Sequence, residues 1–549
     1  FTDNLGASTT YRTLFQFIDN LSVNYNHHSF KFGGEIRRSH TNQSQYRSQR
    51  GALTFSGARN GLIDQSVPGN AAVAAFADYL LGLPAQITIS SSNPTRGFRT
   101  TAYIGYAQDE WRVTDLLTLN LGLRYEIDTP LTEVNGLLSN LIPGRGNFVV
   151  GSDELPRLHN IDKNNFAPRV GFAFRVTGDG KWTVRGGAGV YHDNGTFQDR
   201  FRTARSNAPF AITNIVNQAG GARASLDFPL DNTAARTFLA LLGGGAATGA
   251  GAVDVNYRTP YAVQYNLNVQ HELNRNLLAE IAYVGRRGLN ASRPVNINQI
   301  VAVNSLAATQ SGLAVGSRPF NDAGLPAGAR FANDVISQQF NGQATYHSLQ
   351  TRLERRLNNG TSFLASYTWS KSIDDVSGIG TGSDDLAQDS YNLAAQRAVS
   401  NFDIPHKFVF SSTWALPFGQ NRRFLKNPGP VVSALFNDWQ VNSILTYQLG
   451  QPFTVTIGAF DAGTGISNRR PNQVSDPHEN VPAGFAFNPA AFAAPLAGQF
   501  GSVGRNTLRA DNYFNTDFAV LKNFRLSPLG EAGAIEFRAE IFNIFNNPS

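Results

Sequence analysis

Tyr103–Asp128 reads YIGYAQDEWRVTDLLTLNLGLRYEID, and the second half of this stretch alternates strictly in side-chain character. Leu119, Leu121, Leu123, Tyr125 and Ile127 share one parity; Thr118, Asn120, Gly122, Arg124, Glu126 and Asp128 share the other. Successive Cβ atoms of a strand point to opposite faces, so a period of two predicts a strand with one apolar and one polar side. Tyr103–Arg112 pairs with it through the tight Val113-Thr114-Asp115 connection.

The same alternation recurs along the chain. Phe15, Phe17, Leu21, Val23 and Tyr25 turn through Asn26-His27-His28 into Phe30, Phe32 and Ile36. Val170, Phe172, Phe174 and Val176 pass through Thr177-Gly178-Asp179-Gly180, a turn rich in Gly and Asp, into Trp182, Val184, Ala188 and Val190. Tyr261, Val263, Tyr265, Leu267 and Val269 oppose Gln264, Asn266, Asn268 and Gln270 before the chain returns through Leu277 to Gly285. Leu349, Leu353 and Leu357 turn at Asn358-Asn359-Gly360 into Phe363, Ala365, Tyr367 and Trp369. Phe408, Phe410 and Trp414 reach Pro417 and a longer turn before Trp439, Val441, Leu445 and Tyr447. Phe514, Phe518 and Val520 pass through Ser527-Pro528-Leu529-Gly530 to Ile535, Phe537, Ala539 and Ile541. The reading is about fourteen strands in about seven hairpins.

Connection lengths alternate as well. Short turns lie within hairpins, and long segments lie between them, at roughly 41 to 99, 129 to 165, 194 to 256, 291 to 344, 374 to 404 and 450 to 511. Such rotation is expected when every turn is at one end of a sheet and every loop at the other, as in outer-membrane barrels. Strands of about 11 to 14 residues exceed the soluble mode and suffice for a tilted crossing of a bilayer. In lipid every backbone polar group must be paired within the protein, so a spanning sheet has to close. The fold class is therefore all-β, a transmembrane antiparallel β-barrel with its apolar parity outward. Within the loops, Ala71–Leu83 and Phe238–Gly251 read as short helices.

Composition bounds the alternatives. With 16% charged residues and a mean hydropathy of -0.24, no apolar run approaches the ~18 to 20 residues of a membrane helix. The absence of cysteine removes disulfide scaffolds, thiolate metal sites and cysteine nucleophiles. A net charge of +6 arises from scattered Lys and Arg, which gives no footprint for nucleic acid. All five tryptophans, Trp111, Trp182, Trp369, Trp414 and Trp439, fall in predicted strands, four of them near a short turn, as an interfacial aromatic belt requires. A soluble propeller or sandwich would place them in a core, but it leaves the alternating connection lengths unexplained.

Four segments together resemble the barrel of TonB-dependent outer-membrane receptors, specifically the Oar-like branch common in acidobacterial genomes. They are Tyr103–Ile127, TPYAVQYNLNVQHELNRNLLAEIAYVGRRG at 259–288, FDIPHKFVFSSTWALPFG at 402–419 and FRAEIFNIFNNPS at 537–549. The resemblance implies a 22-stranded barrel with short periplasmic turns and long extracellular loops in a Gram-negative outer membrane. It also implies an N-terminal plug, often with a carboxypeptidase-regulatory-like domain, and a segment that engages the TonB complex. Residues 1–549 then read as one barrel domain truncated at both ends, about 14 of 22 strands. The implied partners are outer-membrane lipid, TonB and a bulky nutrient such as an oligosaccharide, peptide or metal chelate. A non-transport adhesin or structural barrel is the alternative, and a soluble glycan-binding β-protein a third reading.

Enzymatic signals are absent: there is no HExxH, Walker loop or GxSxG elbow, and no cofactor is expected. Gly378-Ile379-Gly380-Thr381-Gly382 reads as a flexible loop rather than a phosphate cradle, and His192-Asp193 as a loop edge rather than a metal site. Asp374, Asp375, Asp384, Asp385 and Asp389 could hold a hard cation such as calcium, against the competing reading of a solvated acidic loop. Arg352, Glu354 and Arg356, with Glu536, Arg538 and Glu540, face the lumen, where they contact a plug or ligand or pair across strands. Ligand selection is assigned to the long loops.

Overall fold

The structure, a computed structural model, describes residues 8–45, 52–58, 61–64, 67, 70–90, 95–193, 204, 207–210, 213–217, 246–247, 250–326, 329–331, 333–358, 360–378, 386–418, 423–425, 429–458, 461, 463–466, 469–525 and 533–547. Fourteen long strands run through it. They are β1 (Ser8–Tyr25), β2 (His28–Gln45), β3 (Thr95–Arg112), β4 (Leu117–Asp128), β5 (Phe166–Arg175), β6 (Trp182–His192) and β7 (Tyr261–Asn274). The rest are β8 (Leu277–Asn296), β9 (Val335–Asn358), β10 (Thr361–Asp374), β11 (His406–Ala415), β12 (Trp439–Gln448), β13 (Tyr513–Arg525) and β14 (Ala534–Ile541).

Each long strand pairs antiparallel with the next in sequence, so the wall is a meander of seven hairpins. Among the described residues β1 and β14 are not paired with each other and form the two edges of the sheet. The large sheet also takes in three short strands, Thr132–Glu133, Ala250–Val253 and Ala398–Val399, giving 17 in all.

Register carries the outward parity from strand to strand. Trp111, Leu119, Phe172, Gly186, Leu267, Tyr283, Leu349 and Trp369 form one continuous row across β3 to β10. The neighbouring row on the other face is Glu110, Asn120, Gly171, Gly187, Asn266, Val284, Ser348 and Ser370, small or polar apart from Val284. A one-residue slip anywhere would exchange the two faces, so the burial preference of each strand fixes its register. Leu121, Leu123, Val170, Leu267, Ile281 and Trp369 are accordingly exposed. Water would penalise such a surface, whereas a bilayer is its natural solvent.

Several outward glycines are covered by an aromatic ring directly opposite. Tyr265 lies over Gly285 and Phe172 over Gly186, where a Cβ would meet the rings at 2.2 and 2.7 Å. The ring takes the space that the missing side chain leaves, and this closes the packing between strands. On the inner face Tyr106 covers Gly33 in the same way and donates from its hydroxyl to Asn20 Oδ1 at 2.7 Å.

The strands overrun their predicted ends on the loop side. β3 begins at Thr95 rather than Tyr103 and β9 at Val335, nine residues ahead of the expected start at about 344. Alternation vanishes in these extensions because both faces are covered by loops: Arg96 and Phe98 are buried, as are the consecutive Ser337 and Gln338.

Helix α1 (Asn70–Leu80) matches the predicted Ala71–Leu83, and α2 (Leu306–Gln310) was not anticipated. Of the second predicted helix, residues 238–245 lie outside the described residues, and its end is strand instead, at Ala246–Ala247 and from Ala250 onward. Those residues satisfy their backbone by pairing with Asn214–Ile215 and, in parallel, with β9. The turn 416–438 holds a further helix, α3 (Pro430–Phe436), with Pro at its start, where a missing N–H costs nothing. Trp439 Nε1 donates to Leu435 O at 2.7 Å, which sets the exposed Val431, Leu435 and Phe436 beside the outward tryptophan. The predicted turns at Asn359 and Ser527–Gly530 lie outside the described residues.

Candidate functional site

The polar parity forms one side of the candidate site. Arg124 Nε binds Glu126 Oε1 at 2.6 Å and its Nη2 approaches Glu35 Oε2 at 4.0 Å, while Arg37 Nε binds Glu35 Oε1 at 3.1 Å. Farther round, Asn268 Nδ2 donates to Glu280 Oε1 at 2.6 Å and Arg352 Nη2 binds Glu354 Oε2 at 2.5 Å. Arg538 binds Glu536 at 2.9 Å and Glu540 at 3.5 Å. The Arg352 and Arg538 pairs run along a strand, at spacing two, rather than across strands as the sequence suggested. Residues two apart share a face, and long side chains span the rise between them. Arg356 makes no ion pair among the described residues.

Above this charge lattice the wall of β6 to β10 encloses a cavity of about 840 Å³. Gln264, Asn266, Arg286, Tyr346, Thr368 and Ser370 line it from the inner parity. Among the described residues, Arg286, Gln264 and Tyr346 make no side-chain hydrogen bond, which leaves their polar atoms to face the cavity. His192 and Asp193 reach the same cavity from the end of β6: His192 Nε2 sits 3.2 Å from Phe166 O, and Asp193 N donates to Pro260 O at 2.8 Å.

The described parts of the loops over the wall are folded. Phe98, Leu131, Leu138, Leu158, Val253, Tyr257 and Phe340 make a buried apolar cluster from the upper ends of β3 and β9 and the loops 129–165 and 193–260. Two buried asparagines act as backbone surrogates. Asn140 accepts from Val253 N and donates to Val253 O, both at 2.8 Å; Asn207 accepts from Gly251 N at 2.7 Å and donates to Gly251 O at 2.6 Å. These bonds satisfy the free edge of Ala250–Val253, which burial would otherwise penalise.

Ion pairs tie the remaining loops together: Arg505 to Asp374, Arg293 to Asp375, Arg509 to Asp403 at 2.6 Å, Arg318 to Asp334 at 2.6 Å and Arg469 to Asp461 at 2.8 Å. Burial works against the Asp461 carboxylate, but hydrogen bonds from Gly463 and Gly498 N–H, with Arg469, hold its pKa below the usual carboxylate range. Asp389 accepts from Leu306 N at 2.8 Å and Tyr391 N at 3.0 Å. Burial, with Asp389 nearby, pushes the Tyr391 phenol up to about 12.

The structure thus separates the acidic residues that the sequence grouped. Asp374, Asp375 and Asp389 each serve a different arginine or loop backbone; Asp384, Asp385 and residues 379–382 lie outside the described residues. No group of three His, Asp or Glu among the described residues could hold a metal ion. The arginines of loop 449–512 carry no spacing signal that would have marked them.

The family model described as outer membrane beta barrel domain matches residues 2–549. No curated protein matches the chain in sequence. Among solved structures it is similar to the outer membrane transporter YddB of Escherichia coli, at 12% identity and TM-score 0.49 over 98% of this chain and 50% of that one. It is also similar to the ferripyoverdine receptor of Pseudomonas aeruginosa, bound to ferripyoverdine, at 10% identity and TM-score 0.45 over 98% and 45%. A third is the copper transporter OprC, at 9% identity and TM-score 0.45 over 98% and 53%. The chain spans about half the length of these structures.

Proposed function

The chain belongs to the outer membrane beta barrel domain family, and from that premise we propose that it is the barrel wall of an active-transport receptor of the Oar-like, TonB-dependent kind. The family places it in the outer membrane of a Gram-negative cell, as a barrel rather than an enzyme. Apolar rows face lipid, turns face the periplasm and the loop layer faces outside. On this reading a bulky nutrient, whether an oligosaccharide, a peptide or a metal chelate, enters through the loops. Its release inward is coupled to TonB by a plug outside residues 1–549, and β1 and β14 pair with further strands of the same barrel, because an unpaired edge cannot face hydrocarbon.

The observation that supports transport over adhesion is the cavity of about 840 Å³ on the wall, whose Arg286, Gln264 and Tyr346 have unspent hydrogen-bonding capacity. An adhesin needs its loop tips and has no use for a polar chamber beneath them. The experiment is growth of the host on a panel of oligosaccharides, peptides and metal chelates, with this gene or TonB deleted. Loss of growth on the same compound in both strains is expected. A compound lost only with this gene, or a defect confined to surface attachment, would overturn the transport reading in favour of the adhesin.

A further inference from the structure

We propose that a second, smaller cavity in the loop layer is an anion-binding subsite that takes one carboxylate or phosphate group of a solute, with Arg470 as its ion-pairing residue. The inference stands without the transport reading, since it needs only the geometry of the loops 297–334, 375–405 and 449–512. The cavity is about 270 Å³ and is lined by Gln299, Asp334, Gln388, Thr456, Arg469, Arg470 and Arg505, among others. That is room for a single charged group rather than for a whole bulky solute, whose pockets run to about 300–1,000 Å³.

Among the described residues, charge does not balance around it. Among the described residues, Arg469 is neutralised by Asp461 and Arg505 by Asp374, and the one carboxylate on the wall, Asp334, is already held by Arg318. Arg470 is left over. It is 92% buried, being 8% exposed, and among the described residues no carboxylate pairs with it. Its Nε donates to Gln388 Oε1 at 3.1 Å, and the Gln396 amide, with its oxygen toward Gln388, accepts from Arg470 Nη2 at 2.9 Å. Both partners are neutral amides, and Nη1 has no acceptor among the described residues. Arg469 adds a buried Nε without a partner on the same wall.

A buried guanidinium held by neutral groups is costly, and its burial beside Arg505 lowers its pKa to about 10, which still leaves it charged at neutrality. Buried charges are as a rule paired, and an anion from outside the chain would supply the partner that Arg470 lacks among the described residues. A planar carboxylate or a phosphate oxygen pair matches the fork of a guanidinium, and the exclusion of water strengthens the contact. Neither an apolar ligand nor a cation would find a favourable place there.

The test is thermal unfolding and calorimetric titration of the chain in detergent, with sodium phosphate and sodium acetate as probes at constant ionic strength. A saturable rise in midpoint is expected with at least one probe, and the preferred probe tells a phosphate group from a carboxylate. Arg470→Gln should weaken the response about tenfold or more, the worth of one charge-assisted hydrogen bond. In anion-free buffer the same variant should be as stable as the parent or more so, which a purely structural role for Arg470 contradicts. Thr456→Glu, which sets a carboxylate on the cavity wall, should silence the response by a second route, and Arg538→Gln on the barrel wall should not alter it. Absence of a saturable response in the parent, or an undiminished response in Arg470→Gln or Thr456→Glu, would overturn the proposal.

Discussion

Asp374, the last residue of β10, and Arg505, 131 positions later in the loop that leads to β13, form an ion pair inside the loop layer. The two side chains are 1% and 8% exposed, and Arg505 also donates to Ser377 Oγ at 3.0 Å and to Gln396 O at 3.2 Å. Removal of the carboxylate strands a buried cation. Asp374→Ala should therefore cost about 3–5 kcal/mol in the local stability of the loops. Hydrogen exchange should rise across 375–405 and 449–512 while the strands stay protected, and the double variant with Arg505→Met should lose less than the two single losses summed.

The assignment of faces is open to a direct test at Val269, which is in register with Val184 and Ile281 on the outward rows. Val269→Arg should cost about 2–4 kcal/mol if the site lies near the bilayer midplane. Asn266→Arg, three residues away on the inner parity, should be tolerated, because it adds a charge to an aqueous chamber. Heat-modifiable migration after refolding into detergent or vesicles reads both; equal behaviour of the two variants would contradict the parity.

Tyr265 and Gly285 make a pair in which the ring occupies the space of the missing side chain. Gly285→Val should displace Tyr265 from its packing against Tyr283 and His347, whose rings lie 6.2 and 6.5 Å away. The expected penalty is about 1–3 kcal/mol, typical of overpacking, read as a lowered denaturation midpoint. Tyr265→Ala in the same background should recover part of it.

Asn140 closes both backbone groups of Val253. Asn140→Leu leaves a buried N–H and C=O unsatisfied, at about 1–3 kcal/mol each. Limited proteolysis should then cut within 129–165 or 250–260 under conditions where the parent resists.

Alkaline stability should show the signature of Tyr391, whose hydroxyl donates to Gln299 O at 2.7 Å. Its pKa is raised to about 12, so the folded protein keeps the proton where the unfolded chain loses it, above about 10. The resulting stabilisation is fully present below pH about 10 and is lost as pH rises through about 12. Tyr391→Phe should make stability less dependent on pH across that window, and ultraviolet phenolate titration should lose one late-ionising tyrosine.

The seven hairpins and the outward set were legible because a strand between two different media repeats its environment every second residue. Leu119, Leu121 and Leu123 announce their face without any long-range information, and Trp111, Trp182, Trp414 and Trp439 mark the turn end. The same logic failed at Thr95–Ala102 and from Val335 into β9, where loops cover both faces and the repeat disappears. It failed also at α3, which carries only two turns of pattern.

The candidate site was less legible still. Clustering in sequence drew attention to Asp374, Asp375 and Asp389, yet each answers to a different partner. Arg470, which no motif marks, is buried with no carboxylate beside it among the described residues.

The alternation of the chain by itself therefore determined the class of fold, the order and pairing of its fourteen strands and the face each one turns to lipid, because those follow from contacts local along the strand. Only the tertiary structure decided where the strands truly end, how the loops pack a core above the wall, and which arginine is buried among neutral partners. Those depend on meetings between residues a hundred or more positions apart, such as Asp374 with Arg505 and Asn140 with Val253, and contacts of that range leave no period in the sequence.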